Sequence, residues 1–227
     1  MISTDFRLYG ILDLGYVRPD DALSMASRMI AGGVKVLQLR AKSQSLQTIR
    51  ELAKALAPIC RESGVPFLLN DHPGLVAETG ADGVHVGQDD MRVSEVRRIV
   101  GPDALIGLST HSLGQALAAC DAAPDYIGFG PLFSTPTKPD YQPVGLGEIA
   151  KVHRRVPLPI FCIGGITLEN LPEVLAAGAR RVVIVSKILQ AEDPSGYCRE
   201  CSDLLNFSKA RPEPRRAGGT SDRTRAG

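Results

Sequence analysis

Gln38-Leu39-Arg40-Ala41-Lys42 is the stretch of this chain with the densest means for chemistry. A short apolar run, Val34–Leu37, precedes it and a long amphipathic segment follows, which places it where a strand ends and a loop begins. Arg40 presents a planar fork for phosphate oxygens, and Lys42 adds a point charge two residues on. Gln38 carries an amide donor and acceptor, the pair needed to read the edge of a ring. An ordinary solvated strand end carries the same kinds of residue. What tips the balance is the chemistry at the later strand ends.

Those ends carry Asn70-Asp71, then Gly87-Gln88-Asp89-Asp90, then Ser109-Thr110-His111. Gly130 follows the sixth strand, ahead of Ser134-Thr135-Pro136-Thr137-Lys138; Gly164-Gly165 follows the seventh, and Ser186 the eighth. Asp71 and Asp90, with Asn70 alongside, make a hard-oxygen set suited to Mg2+, although each carboxylate could equally cap a helix. Gly164-Gly165 and Val185-Ser186 stand after strands seven and eight, where barrels hold a phosphate on backbone N–H groups; a tight turn would also explain the glycine pair. Cations at Arg40, Lys42 and Lys138, with a metal and a separate phosphate loop, imply two phosphorylated ligands, or one ligand with two phosphate ends. Such a concentration of positive charge suits the departure of an anion.

The elements that must position these groups alternate. Strands are expected at Leu8–Leu12, Val36–Leu39, Pro66–Leu69, Gly83–Val86, Leu105–Leu108, Tyr126–Phe129, Pro159–Ile163 and Arg181–Val185. Amphipathic segments lie between them, the clearest being Leu46–Cys60 with Leu46, Ile49, Leu52, Ala53, Leu56, Ile59 and Cys60 on one face. Ser112 to Gln115 reads as a capping box, Thr167 as the cap of the helix carrying Leu171, Val174 and Leu175, and Gly178 as its stop. Eight strand–helix units with short connections give an α/β fold, a single (β/α)8 TIM barrel with a closed parallel sheet. A doubly wound open sheet is the alternative, weakened because no G-x-G-x-x-G follows the first strand.

A net charge of +1 argues against a dedicated nucleic-acid surface, and with no Trp and few aromatics there is no stacking platform for bases. No apolar stretch is long enough to span a bilayer, and the N-terminus carries no basic region followed by an apolar run, so a cytoplasmic protein is expected. Five cysteines lie scattered through apolar segments and read as reduced, partly buried thiols. Cys198 and Cys201 match C-x-x-C spacing without the strand-to-helix context or second pair that redox or zinc chemistry needs. Residues 1–207 are read as the barrel domain and 208–227, rich in Arg, Pro, Gly and Ser, as a disordered basic tail.

Seven motifs in register carry a resemblance: Q-L-R-x-K, L-N-D, D-G-V-H-V-G-Q-D-D, G-L-S-T-H, Y-I-G-F-G-P-L-F-S-T-P-T-K, I-G-G-I and V-V-I-V-S. Together, from about Leu8 to about Leu189, they resemble the thiamine-phosphate synthase family. The resemblance implies that Gln38, Leu39, Arg40, Ala41 and Lys42 hold a pyrimidine diphosphate, helped by Asn70, Ser109 and Lys138. It implies Mg2+ on Asp71 and Asp90, and a thiazole phosphate on Thr135, Pro136, Thr137, Gly165, Val185 and Ser186. Arg40, Lys42, Lys138 and Ser109 would then be catalytic, drawing off pyrophosphate so that the thiazole nitrogen captures the pyrimidine cation. Such chemistry needs positioning and charge stabilisation more than a general base.

Ser109 and His111 make no triad, since no G-x-S-x-G elbow is present and two residues on one loop lack the geometry. His85 reads as a hydrogen-bonded core histidine or a ligand, His72 as no ligand for Mg2+, and His153 as solvated on a polar helix face. Lys187 departs from the family by placing a charge beside the phosphate loop, and 139–144 reads as a mobile cover. Two other activities fit the barrel: a thiazole tautomerase-like isomerase, which has no use for the carboxylates, and a non-catalytic protein that binds thiazole phosphate.

Overall fold

Strict alternation along the strands sorts their residues into a layer facing the barrel axis and a layer facing the helices. The computed structural model describes residues 3, 5–134 and 142–209, with side chains through 207. Its strands are β1 (Leu8–Asp13), β2 (Val36–Arg40), β3 (Phe67–Asn70), β4 (Gly83–Val86), β5 (Leu105–Thr110), β6 (Tyr126–Phe129), β7 (Ile160–Ile163) and β8 (Val182–Ile184). All neighbours are parallel and in chain order, and β8 returns to β1 with Leu8 opposite Val182 and Gly10 opposite Ile184. That pairing removes the open sheet.

Outside the strands run α1 (Ala22–Ala31), α2 (Leu46–Glu62), α3 (Val76–Thr79), α4 (Val93–Val100), α5 (Leu113–Ala122), α6 (Ile149–Arg155), α7 (Leu171–Ala176), α8 (Ser186–Leu189) and α9 (Pro194–Lys209). The strongest sequence period produces α2. Ser45 opens it by accepting from the Thr48 N–H at 3.1 Å, and Ile49, Ala53, Leu56, Ala57 and Cys60 are buried. Burying a side chain the size of Leu56 contributes about 1.5–3 kcal/mol. Leu46, expected on the same face, is 56% exposed, because it opens the helix ahead of the turns that lie on the barrel.

Two further caps follow the sequence with adjustments. Ser112 accepts from the Gln115 N–H at 3.1 Å, but Gln115 Oε1 takes the N–H of His111 rather than that of Ser112. Thr167 caps one turn before α7, in a reciprocal pair: its hydroxyl accepts from the Asn170 N–H, and the Asn170 Oδ1 accepts from the Thr167 N–H.

The inner layer is unusual in composition. Tyr9, Tyr126 and Phe161 meet edge to face within it, with centroids 5.3–6.0 Å apart, beside Ile11, Val36, Leu68, Leu105 and Val183. Gly107 makes the room. A Cβ there would lie 2.2 Å from Tyr126 Cζ and 2.4 Å from His85 Nδ1.

α9 buries Cys198, Cys201 and Leu205 completely, and burial pushes both thiols up to about 12. They act here as small apolar side chains. The helix continues two residues past the expected domain boundary at 207; the remainder of the expected tail lies outside the described residues. His153 corrects the expectation of a solvated ring. Its Nε2 is buried with no hydrogen-bond partner among the described residues, and burial, reinforced by the charges of Arg180 and Arg181, lowers its pKa to about 4. The charged residues around it, Lys151, Arg154 and Arg155, had suggested a wholly polar face.

Candidate active site

Parity decides which residues reach the barrel mouth. Gln38 and Arg40 face inward from β2, Asn70 from β3, His85 from β4 and Ser109 from β5, and all five line one cavity of about 410 Å3 at the carboxyl ends of the strands. Gly165 from the loop after β7, Val185 after β8, and Ser186 and Lys187 at the start of α8 complete it. The volume is that of a small-molecule site. Leu39 and Ala41 have the opposite parity, and their side chains are buried against the helices. The cavity lining includes neither residue, so the expected role of both in holding substrate is not one their side chains take from inside it.

Arg40 is anchored from behind. Its Nη1 lies 2.6 Å from Asp13 Oδ2, across the β1–β2 ladder where the two residues are direct partners. Asp13 is only 3% exposed and Arg40 20%. The guanidinium has five donors, so this contact leaves others directed at the cavity. Lys42 is more than half exposed and pairs with Asp71 Oδ2, which also accepts from the Asn70 amide at 2.6 Å.

Asp71 stands immediately above β3 in the left-handed region, φ +61°, with its N–H donating to His85 O at 2.9 Å. Asp90, in the loop after the neighbouring β4, accepts from the Gly87 N–H at 2.7 Å and is otherwise open to solvent. Among the described residues neither carboxylate, nor Lys42, lines the cavity itself, and no group of three potential metal ligands is present. As a donor set, two hard carboxylates from adjacent strand ends suit Mg2+, which is commonly held by one or two carboxylates and completed by water and substrate phosphates.

The loop after β7 is moulded onto the loop after β6. Gly164 and Gly165 have φ of +102° and +65°, and a Cβ on Gly164 would lie 2.4 Å from Pro131 Cα. Phe133 N donates to Gly164 O at 3.1 Å, and the Asn170 amide donates to Gly165 O at 2.9 Å. Only glycine serves at both positions. Thr135, Pro136, Thr137 and Lys138 lie outside the described residues, as does the first half of the expected cover at 139–144.

Asp13, the partner of Arg40, escaped the sequence reading. Asp13 ends the first strand, and the strand-end rule, applied there as at the later strands, finds it. His111 stood in the expected strand-end set without an assigned role; its Nδ1 lies 2.6 Å from Gly130 O, on the cavity wall. His85 bonds to Tyr126 and Ser109, contacts that no local pattern announces.

A closed parallel barrel with its cavity at the carboxyl rim defines a TIM-barrel enzyme. The chain belongs to the thiamine monophosphate synthase family, whose model matches residues 8–188. It is 40% identical over 203 residues to the thiamine-phosphate synthase of Halalkalibacterium halodurans, covering 88% of this chain and 96% of that one. It is 43% identical over 198 residues to that of Laribacter hongkongensis, with 86% and 93% covered. The structure of thiamine phosphate pyrophosphorylase from Pyrococcus furiosus superposes with a TM-score of 0.83 at 29% identity, covering 90% of this chain and 98% of that one. The protein is thus a transferase of the thiamine-phosphate synthase type, an enzyme of thiamine biosynthesis with small phosphorylated substrates.

Proposed function

We propose that the protein joins 4-amino-2-methyl-5-(diphosphooxymethyl)pyrimidine to a thiazole phosphate, forming thiamine phosphate and releasing pyrophosphate. The observation that carries this reading is the convergence of two kinds of anion-binding chemistry on one cavity. Side chains of β2, β3 and β5 (Gln38, Arg40, Asn70, Ser109) supply one, and the loops at Gly165 and Val185-Ser186 supply the other.

In this reading Gln38 reads the pyrimidine edge, while Arg40, Lys42, Lys138 and the Ser109 hydroxyl receive the diphosphate, helped by Asn70. Thr135, Pro136 and Thr137, with Gly165, Val185 and Ser186, hold the thiazole phosphate. The bond between the pyrimidine methylene carbon and the diphosphate oxygen breaks, and its electron pair leaves with pyrophosphate. The thiazole nitrogen then gives its lone pair to the methylene carbon. No proton has to move for the carbon–nitrogen bond to form, so the chain's contribution is orientation and fixed positive charge. Asp71 and Asp90 would hold Mg2+, which when bound offsets the negative charge of the diphosphate.

Incubating the purified protein with both phosphorylated precursors, with and without Mg2+, tests the reading. Thiamine phosphate and pyrophosphate should appear in equal amounts, and only with the metal. Isomerisation of a thiazole without pyrophosphate release would sink it in favour of the tautomerase-like activity.

A further inference from the structure

Five polar side chains form one unbroken hydrogen-bonded file through the barrel. Gln38 Nε2 donates to Tyr9 Oη, Tyr9 Oη lies 3.0 Å from Tyr126 Oη, and Tyr126 Oη lies 3.0 Å from His85 Nδ1. His85 Nε2 lies 2.9 Å from Ser109 Oγ. The two ends, Gln38 and Ser109, both line the large cavity, as does His85, whereas Tyr9 and Tyr126 are sealed from solvent beneath it. Gly107 is the position on β5 that lets the Tyr126 and His85 rings meet.

Such a file has only two self-consistent directions, because each phenol owns one proton. Burial raises the pKa of both tyrosines, so both keep that proton. Gln38 presents its amide nitrogen to Tyr9, so Tyr9 accepts there and must donate onward to Tyr126. Tyr126 then donates to His85 Nδ1, and the proton of the neutral imidazole lies on Nε2, facing Ser109. Ser109 accepts it, which leaves the serine's own proton without a place in the file.

We infer that this file is a positioning device, holding His85 as its Nε2–H tautomer so that the Ser109 hydroxyl proton is directed into the cavity as a donor to an anionic oxygen of the ligand. Tyr9, Tyr126 and His85 are positioning residues that act through Ser109. The inference rests on the reading of Ser109 as a diphosphate ligand, and it adds what sets the polarity of that hydroxyl. In the reverse direction Ser109 would donate to His85 and turn only lone pairs toward a negatively charged leaving group, opposing its departure.

Nitrogen NMR of the imidazole in the ligand-free wild-type protein reads the tautomer directly. The Nε2–H form is expected; the Nδ1–H form would overturn the inference. Kinetics supply the second measurement. Tyr126→Phe removes one hydroxyl below the cavity, and kcat should fall about tenfold with little change in KM for the thiazole phosphate. In a Ser109→Ala background the same substitution should cost almost nothing further, because the group through which it acts is gone. An undiminished loss in that background would assign Tyr126 a merely structural role and overturn the inference. Should Tyr126→Phe fail to fold, the wild-type tautomer still decides. Absence of thiamine phosphate from the wild type would refute the reaction proposed above, not the file, which the NMR spectrum tests on its own.

Discussion

Asp13 and Arg40 face each other across the β1–β2 ladder as an ion pair with N–O separation 2.6 Å, the carboxylate almost wholly enclosed and the guanidinium open on its cavity side. An arginine so tethered meets a phosphate with part of its rotamer entropy already lost to the protein, and its fork is pre-oriented.

Asp13→Asn keeps the shape and removes the charge. We expect kcat/KM for the pyrimidine diphosphate to fall about tenfold, from a loosened Arg40, with KM for the thiazole phosphate nearly unchanged. Asp13→Ala goes further by leaving a four-fifths buried guanidinium unpaired, and should lower stability by about 1–3 kcal/mol in urea unfolding. Wild-type kinetics in Asp13→Asn would show that Arg40 needs no tether.

Arg40→Ala should raise KM for the pyrimidine diphosphate about 10- to 100-fold and affect the thiazole phosphate far less. Steady-state kinetics with each substrate varied in turn separate the two. Equal losses would mean that the assignment of ligands to the two sides of the cavity is wrong.

Asp71 allows its backbone and its carboxylate to be tested apart. Asp71→Gly and Asp71→Ala both delete the proposed metal ligand, and both should need much more Mg2+ for turnover, as should Asp90→Ala. The alanine variant must also hold a left-handed φ near +61° without a polar side chain, and should be about 1 kcal/mol less stable than the glycine variant. Full activity in EDTA would dismiss the metal.

His153 predicts an acid limb in the stability curve. Its pKa falls to about 4 in the folded state against about 6.5 unfolded, so between those values the unfolded chain binds more protons. Stability therefore rises with pH across that window and is fully present above it. Acidification from pH 6.5 to 4 should remove at most about 3 kcal/mol, less whatever solvent reaches the ring. His153→Leu should flatten that limb, as followed by thermal unfolding at stepped pH.

The barrel was legible because parallel strands buried on both faces read as apolar runs of the right length, spaced by helical periods. Expected and observed strands coincide at Gly83–Val86 and Tyr126–Phe129 and elsewhere differ by a residue or two at their ends. The site was legible as a set of strand ends, but not its depth. Leu39 and Ala41 entered the expected ligand set through the family resemblance, and the two-residue period turns their side chains toward the helices. The contact of Tyr9 with Tyr126 joins residues 117 apart in the chain, and nothing local hints at it. His153 misled because its neighbours Lys151, Arg154 and Arg155 are charged, although its own ring is drawn in among buried groups.

The β1–β8 pairing also bears on how the molecule comes into being. On a ribosome the edge of β1 must wait, unpaired, until Val182–Ile184 have been synthesised, and the same segment delivers the last wall of the cavity at Val183, Val185 and Ser186. Nascent chains short of that point carry an exposed strand edge and an incomplete pocket, so ligand capture and protection from edge-to-edge sticking arrive together, at the final strand.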